Sequence, residues 1–238
     1  MNEHPLFALA SELSKQLSAL KFSAPVHTVY DPTQYAAAPT RTYFERFGGS
    51  PKEVLFLGMN PGPWGMAQTG VPFGEIAAVR DWMGICEPVN KPKTEHEKRP
   101  VEGFDCSRSE VSGRRLWGGF SQWWGEPEAF FKNHFVANYC PLVFMEAGGR
   151  NRTPDKLPKD ERMPLEALCD AHLRAVVEEL GVQTVIGVGR FAESVAKRAL
   201  DEGFKIDTIL HPSPASPIAN RGWAEQAHRQ LIKLGLLP

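Results

Sequence analysis

The chain is predicted to be an α/β protein: a four-stranded parallel sheet covered on both faces by helices. Three observations carry this. Four short apolar runs, at residues 53–59, 134–138, 182–187 and 206–210, have the length and composition of buried strands. Helix-spaced segments lie between them, and alternation of the two kinds of segment is the pattern of a parallel sheet with crossover helices. Finally, a polar residue stands at or near the end of three of the runs: Asn60, Asn138 and His211. Ligands of such sheets bind beyond the carboxyl ends of the strands, so these three side chains are expected to converge.

The elements follow in order. Leu6, Leu9, Leu13, Leu17 and Leu20 share one face at helical spacing, which predicts an amphipathic helix over 5–21. Pro25, Pro32 and Pro39 make 22–40 an extended connection. Tyr43, Phe44 and Phe47 predict a short helix stopped at Gly48-Gly49. The first strand follows, then a helix over 75–83 with Ile76, Val79 and Met83 inward and Gly84 as its stop. Residues 87–110 are polar and Pro-rich; Lys91, Lys93, His96, Lys98 and Arg99 outnumber Glu95 and Glu97, so they read as a solvated loop or as a patch for phosphates. A helix is predicted over 112–125, with Leu116, Phe120 and Trp124 inward. The second strand, 134–138, continues into Tyr139-Cys140-Pro141-Leu142, and 146–162 is a charged loop. A helix over 165–180 stops at Gly181, the third strand leads to a helix over 191–200, and the fourth strand ends at His211. Pro212-Ser213-Pro214-Ala215-Ser216-Pro217 is a stiff connection into a last helix over 218–234.

At 238 residues, 42% of them hydrophobic, the chain is long enough for one core, and a single domain over 1–238 is expected, with 1–40 packed on it as an N-terminal helix and connection. The formal net charge of -1 does not mark a nucleic-acid binder, so a polyanionic partner would have to be met by local basic patches. Cys86, Cys106, Cys140 and Cys169 form no CxxC or CxH pair and read as reduced, buried thiols of an intracellular protein rather than as metal or iron–sulfur ligands. No run is long enough to span a membrane and no charged-then-apolar leader is present.

The stretch that organises the chain is Gly58-Met59-Asn60-Pro61-Gly62-Pro63-Trp64-Gly65-Met66, continuing to Phe73-Gly74-Glu75. An amide sits at a strand end, a loop stiffened by prolines admits close approach at its glycines, and an aromatic follows: a floor for a planar ligand. Asn60, Asn138 or His211 taken alone is more often structural; together at strand ends they indicate a site.

The residues 58–75 resemble the first motif of the single-strand-selective monofunctional uracil-DNA glycosylases, the SMUG family. His211-Pro212-Ser213-Pro214 with Asn220-Arg221-Gly222-Trp223 resembles the second. Arg80-Asp81-Trp82, Ser109-Glu110-Val111-Ser112-Gly113, Asn138-Tyr139-Cys140-Pro141-Leu142 and Gly187-Val188-Gly189-Arg190 are also similar. The resemblance covers residue 40 onward. It implies the uracil-DNA glycosylase fold, a three-layer sandwich with a central four-stranded parallel sheet. It implies hydrolysis of the N-glycosidic bond of uracil and of uracils oxidised at C5, such as 5-hydroxymethyluracil, in single- and double-stranded DNA, without strand cleavage.

By position, the resemblance implies that Asn60 holds the attacking water and His211 donates to uracil O2. Phe73 would stack on the base and Asn138 would read its Watson–Crick edge, with Met59 and Gly62 against the C5 side. Pro63 and the segment Ser213, Pro214, Ala215, Ser216, Pro217 and Ile218 would contact the DNA or wedge into it. No cofactor or metal is expected; the partner is DNA, there is no membrane, and the protein is expected to be a monomer. Ala215 stands where vertebrate relatives carry Arg, and Trp64 where Phe is common. Because the whole chain is slightly acidic, DNA affinity is expected to be modest, carried by loops at 91–99, 150–162 and 212–217. Two other readings stay open: a relative preferring hypoxanthine or xanthine, and a non-catalytic nucleic-acid sensor with the same pocket.

Overall fold

A computed structural model describes residues 3–237; Met1, Asn2 and Pro238, which the expected 1–238 domain includes, lie outside the described residues. The elements are α1 (Pro5–Leu17), β1 (Val26–Tyr30), α2 (Pro32–Tyr35), α3 (Ala37–Phe47), β2 (Val54–Gly58), α4 (Met66–Thr69), α5 (Val111–Trp124), α6 (Pro127–Phe131), β3 (His134–Asn138), β4 (Val143–Glu146), β5 (Asn151–Arg152), α7 (Lys159–Leu180), β6 (Thr184–Val188), α8 (Arg190–Ala199), β7 (Lys205–Ile209) and α9 (Trp223–Lys233).

The central sheet has the order β3-β2-β6-β7, and every pair in it is parallel. All five residues of β2 are buried, as the unbroken apolar run requires of an inner strand. Alternation along the strands sends side chains to two helical layers. Phe56 and His134 meet Phe120, Trp124 and Phe130 of α5 and α6. Phe135, one residue on, meets Tyr43 and Phe44 of α3 on the opposite face. There α1 packs on α7, and α7 on α8. The result is the predicted three-layer α/β/α sandwich.

The differences from the sequence expectations lie outside this sheet. The 22–40 stretch is not an extended connection: it holds β1, α2 and the start of α3. Pro25 sits just before β1, Pro32 at the first position of α2 and Pro39 in the first turn of α3, where no intrahelical N–H bond is required. β1, β4 and β5 form a second, antiparallel sheet of three strands that was not anticipated, made partly from the predicted charged loop 146–162. α6 was also unforeseen, and α7 starts at Lys159, with Pro164 inside it rather than just before it. The expected helix over 75–83 is largely a π-helical turn, Ala78–Trp82. The last predicted helix begins only at Trp223, preceded by a 3-10 turn. All four cysteines are free; Cys106, Cys140 and Cys169 are buried, but Cys86 is exposed. Among the described residues no helix is long and apolar enough to cross a membrane.

Candidate active site

The site is built at the carboxyl ends of β2, β3 and β7. After β2, pairing with β3 continues into the loop: Tyr139 N–H donates to Gly58 O and Cys140 N–H to Met59 O, both at 2.9 Å. This register sets Asn60 beside the exit of Asn138. Gly58 is required by close approach, because a Cβ there would overlap Asn138 Oδ1 and stand 2.6 Å from the Phe73 ring. Asn60 Nδ2 donates to Leu142 O at 3.1 Å, which fixes the amide and leaves Oδ1 as a free acceptor. Asn138 Nδ2 has only Met66 Sδ at 3.4 Å, a weak acceptor that a better one could replace.

Phe73 adopts φ +53, the only positive φ among described non-glycine residues. Such a conformation persists only where the surroundings impose it. Here the Phe73 carbonyl is held by Glu75 N–H at 2.7 Å and by Trp117 Nε1 at 3.1 Å. The ring stands 6.2 Å from the His211 ring, centroid to centroid.

His211 follows β7. Its Nδ1 accepts the Ser213 N–H at 3.0 Å, so the neutral ring carries its proton on Nε2. Burial pulls its pKa down to about 4, which keeps the imidazole neutral at ordinary pH. The loop beyond is pinned from α5: Arg115 donates to Pro212 O at 3.0 Å and to Asn220 Oδ1 at 2.9 Å. Trp223 Nε1 donates to Leu210 O at 2.7 Å.

These residues enclose a cavity of about 320 Å³. Of the predicted site residues, Met59, Asn60, Gly62, Phe73, Asn138, His211 and Ser213 line it. Pro63 and the segment from Pro214 to Ile218 do not. They follow the lining residues Gly62 and Ser213 in the chain: Pro214, Ala215, Pro217 and Ile218 are exposed, and Ile218, at 56%, is one of few large apolar side chains so placed. Glu110 and Ser112 line the cavity without an individual role expected from sequence, and so do Asn151 and Thr153, from the 150–162 loop expected to meet DNA. Two of them bring oxygens that are sealed from solvent and lack a hydrogen-bond partner, Glu110 Oε2 and Asn151 Oδ1.

The basic loops are less free than their composition suggests. Lys91 pairs with Glu95 at 3.1 Å, His96 is buried, and Arg152 pairs with Glu146 at 3.0 Å. Instead, the guanidinium groups of Arg99 and Arg108 lie over Trp64, 5.1 and 4.6 Å from its ring centroid. Among the described residues no cluster of three or more His, Cys, Asp and Glu side chains is placed to hold a metal ion.

The chain matches the family model described as the uracil DNA glycosylase superfamily over residues 46–232. It is 52% identical over 229 residues to the single-strand selective monofunctional uracil DNA glycosylase of Mus musculus, covering 95% of this chain and 82% of the relative. The Rattus norvegicus protein of the same description is 53% identical over the same shares. The Bos taurus one is 52% identical, with 84% of its length covered. A crystal structure of Pedobacter heparinus SMUG2 superposes with a TM-score of 0.70 over 97% of both chains at 18% identity, a likeness of fold.

Proposed function

This chain belongs to the uracil DNA glycosylase superfamily, and on that premise we propose that it is a monofunctional uracil-DNA glycosylase acting on uracil and on uracils oxidised at C5, in single- and double-stranded DNA. The observation that carries the reading is the meeting of Asn60, Phe73, Asn138 and His211, from distant parts of the chain, around one cavity.

A base inside a duplex is out of reach, so the nucleotide is flipped out or taken from a single strand. Phe73 receives the face of the base, a contact worth about 1–3 kcal/mol. The Asn138 amide accepts from N3–H and donates to O4; cytosine, with an exocyclic amine and an unprotonated N3, reverses both demands. His211 Nε2–H donates to O2, where negative charge grows as the base leaves with the bonding electron pair. Being neutral, it acts as a hydrogen-bond donor rather than as an acid.

Asn60 Oδ1 accepts from a water and aims its oxygen at C1′. An amide cannot take the proton of that water, so it adds to a sugar that has already acquired oxocarbenium character. Bond breaking at the base leads and addition of water follows, the water's proton passing to the departed uracil anion or to bulk water. The product is an abasic site. In this reading the Pro214–Ile218 turn, which follows the cavity-lining Ser213 and carries the exposed Ile218, fills the gap left in the stack.

The test is a uracil-containing oligonucleotide, single- and double-stranded, incubated with the protein and then heated in alkali. Alkali-dependent cleavage of both forms is expected. No cleavage of either overturns the reading. Equal or faster release of hypoxanthine or xanthine would move the enzyme to deaminated purines, and strand scission without alkali would contradict the monofunctional assignment.

A further inference from the structure

The amide that meets the base is held from behind by a residue the mechanism above does not use. Asn138 ends β3, an edge strand of the central sheet that is hydrogen-bonded to β2. Its own amide, among the described residues, has only the weak contact with Met66 Sδ. A group that reads a ligand has to be held to within about 0.5 Å and 10–20° of its working geometry. That hold comes from the next residue. Successive residues of a strand point to opposite faces, so Asn138 lines the cavity while the Tyr139 side chain runs to α7 and α8.

Tyr139 is 1% exposed, and its hydroxyl both donates and accepts. The O–H donates to Asp170 Oδ1 of α7 at 2.6 Å, and the oxygen accepts from Arg198 Nη2 of α8 at 2.8 Å. The two partners fix each other: Arg198 Nε and Nη2 donate to the two Asp170 oxygens at 3.1 and 2.7 Å, a fork on a carboxylate. Burial, reinforced by Asp170, raises the Tyr139 pKa, so the phenol keeps its proton and goes on donating. The backbone is tied at the same place, since the N–H groups of Tyr139 and Cys140 carry the ladder past the end of β3 to Gly58 O and Met59 O. Filling the core here would take only the ring; the hydroxyl adds a fixed direction.

We propose that Tyr139 is the positioning residue for base recognition: its hydroxyl, set between Asp170 and Arg198, holds the end of the edge strand and so aims Asn138 at the Watson–Crick edge of the flipped base. The proposal rests on the uracil reading given above. Tyr139 touches no substrate and acts through Asn138.

The experiment uses one single-stranded oligonucleotide sequence that carries either uracil or, at the same position, a stable tetrahydrofuran abasic analogue, which gives Asn138 nothing to read. For the wild type, Tyr139→Phe and Arg198→Leu, single-turnover assays give the half-saturating enzyme concentration and the maximal rate of uracil release. Fluorescence anisotropy gives the Kd for the abasic oligonucleotide. Tyr139→Phe keeps the ring and removes one hydroxyl. It is expected to raise the half-saturating concentration for uracil by about 10-fold, the weight of one hydrogen bond. The maximal rate should stay within about threefold, because His211 still serves O2, and the Kd for abasic DNA within about twofold. Arg198→Leu, on the exposed side of α8, reaches the same hydroxyl from the surface and is expected to raise the half-saturating concentration by about threefold. Equal weakening for uracil and abasic DNA would mean a general loosening of the fold and overturns the role. So does an unchanged half-saturating concentration, or a loss confined to the maximal rate, which would place the effect on Asn60 instead. No release of uracil by the wild type overturns the uracil reading itself.

Discussion

His211 shows how one hydrogen bond assigns a chemical role. The Ser213 N–H on Nδ1 places the ring proton on Nε2, and burial keeps the ring from gaining a second one. Replacing His211 by Leu removes a preorganised donor and is expected to lower single-turnover base release by about 10²–10³-fold. A smaller loss would move the main stabilisation of the leaving base elsewhere. Asn60→Ala is expected to abolish base release in the same assay while leaving binding of uracil DNA in place, because the amide orients water rather than base. The parts of these roles legible in the sequence were the residue types and their places at strand ends. Glu110 was not legible: a lone carboxylate before a helix reads as a cap. Only the tertiary structure reveals that its side chain makes no cap bond and that it lines the cavity.

At the scale of elements, strands 2, 3, 6 and 7 were readable because a buried parallel strand is a continuous apolar run, a property of a few neighbouring residues. β1 and β5 escaped because their residues are largely polar, and β4 because its short apolar run, Val143–Met145, follows straight on from Tyr139–Leu142; the sheet forms through the long-range pair Val26 with Glu146 and the local hairpin pair Met145 with Asn151. The loops around the cavity depend on similar long-range ties. Arg115 joins α5 to the carbonyls of Pro212 and Ser213 and to Asn220. Arg115→Ala is expected to cost about 1.5–3 kcal/mol in denaturant unfolding, and to slow base release because His211 lies at the base of the freed loop. Unchanged rates would show that the loop holds its shape without this tie. Arg108, exposed on Trp64 beside the cavity wall, is expected to contact a phosphate. Arg108→Ala should then flatten the dependence of log Kd on log salt by about 0.9 for duplex DNA.

Across the whole molecule, ionisation couples stability to pH in two opposed ways. Burial holds both His172 and His211 down to about 4. Between the unfolded value of roughly 6.5 and pH 4, the unfolded chain takes up protons that the folded chain refuses. Stability is therefore expected to fall as pH drops through this window, by up to about 3 kcal/mol for each histidine, and to be free of this effect above it. Glu110, raised to about 7, acts in the opposite sense: the unfolded carboxyl ionises near 4.5 and the folded one only near 7. Its burial costs stability as pH rises from 4.5 to 7. Glu110→Gln should accordingly raise the melting temperature relative to wild type at pH 8 more than at pH 4.5, and His172→Gln should flatten the acid limb. Equal shifts at both pH values would mean that the Glu110 carboxyl is not desolvated in the folded protein. By itself the sequence determined the α/β class, the four core strands and the positions of Asn60, Asn138 and His211, because periodicity and strand ends are written in short windows of chain. The tertiary structure alone decided that these groups share a cavity with Phe73, that His211 is neutral with its proton on Nε2, and that Glu110 Oε2 is sealed from solvent without a partner. Desolvation and hydrogen-bond direction depend on what distant segments pack around a side chain, and no local stretch of residues specifies that.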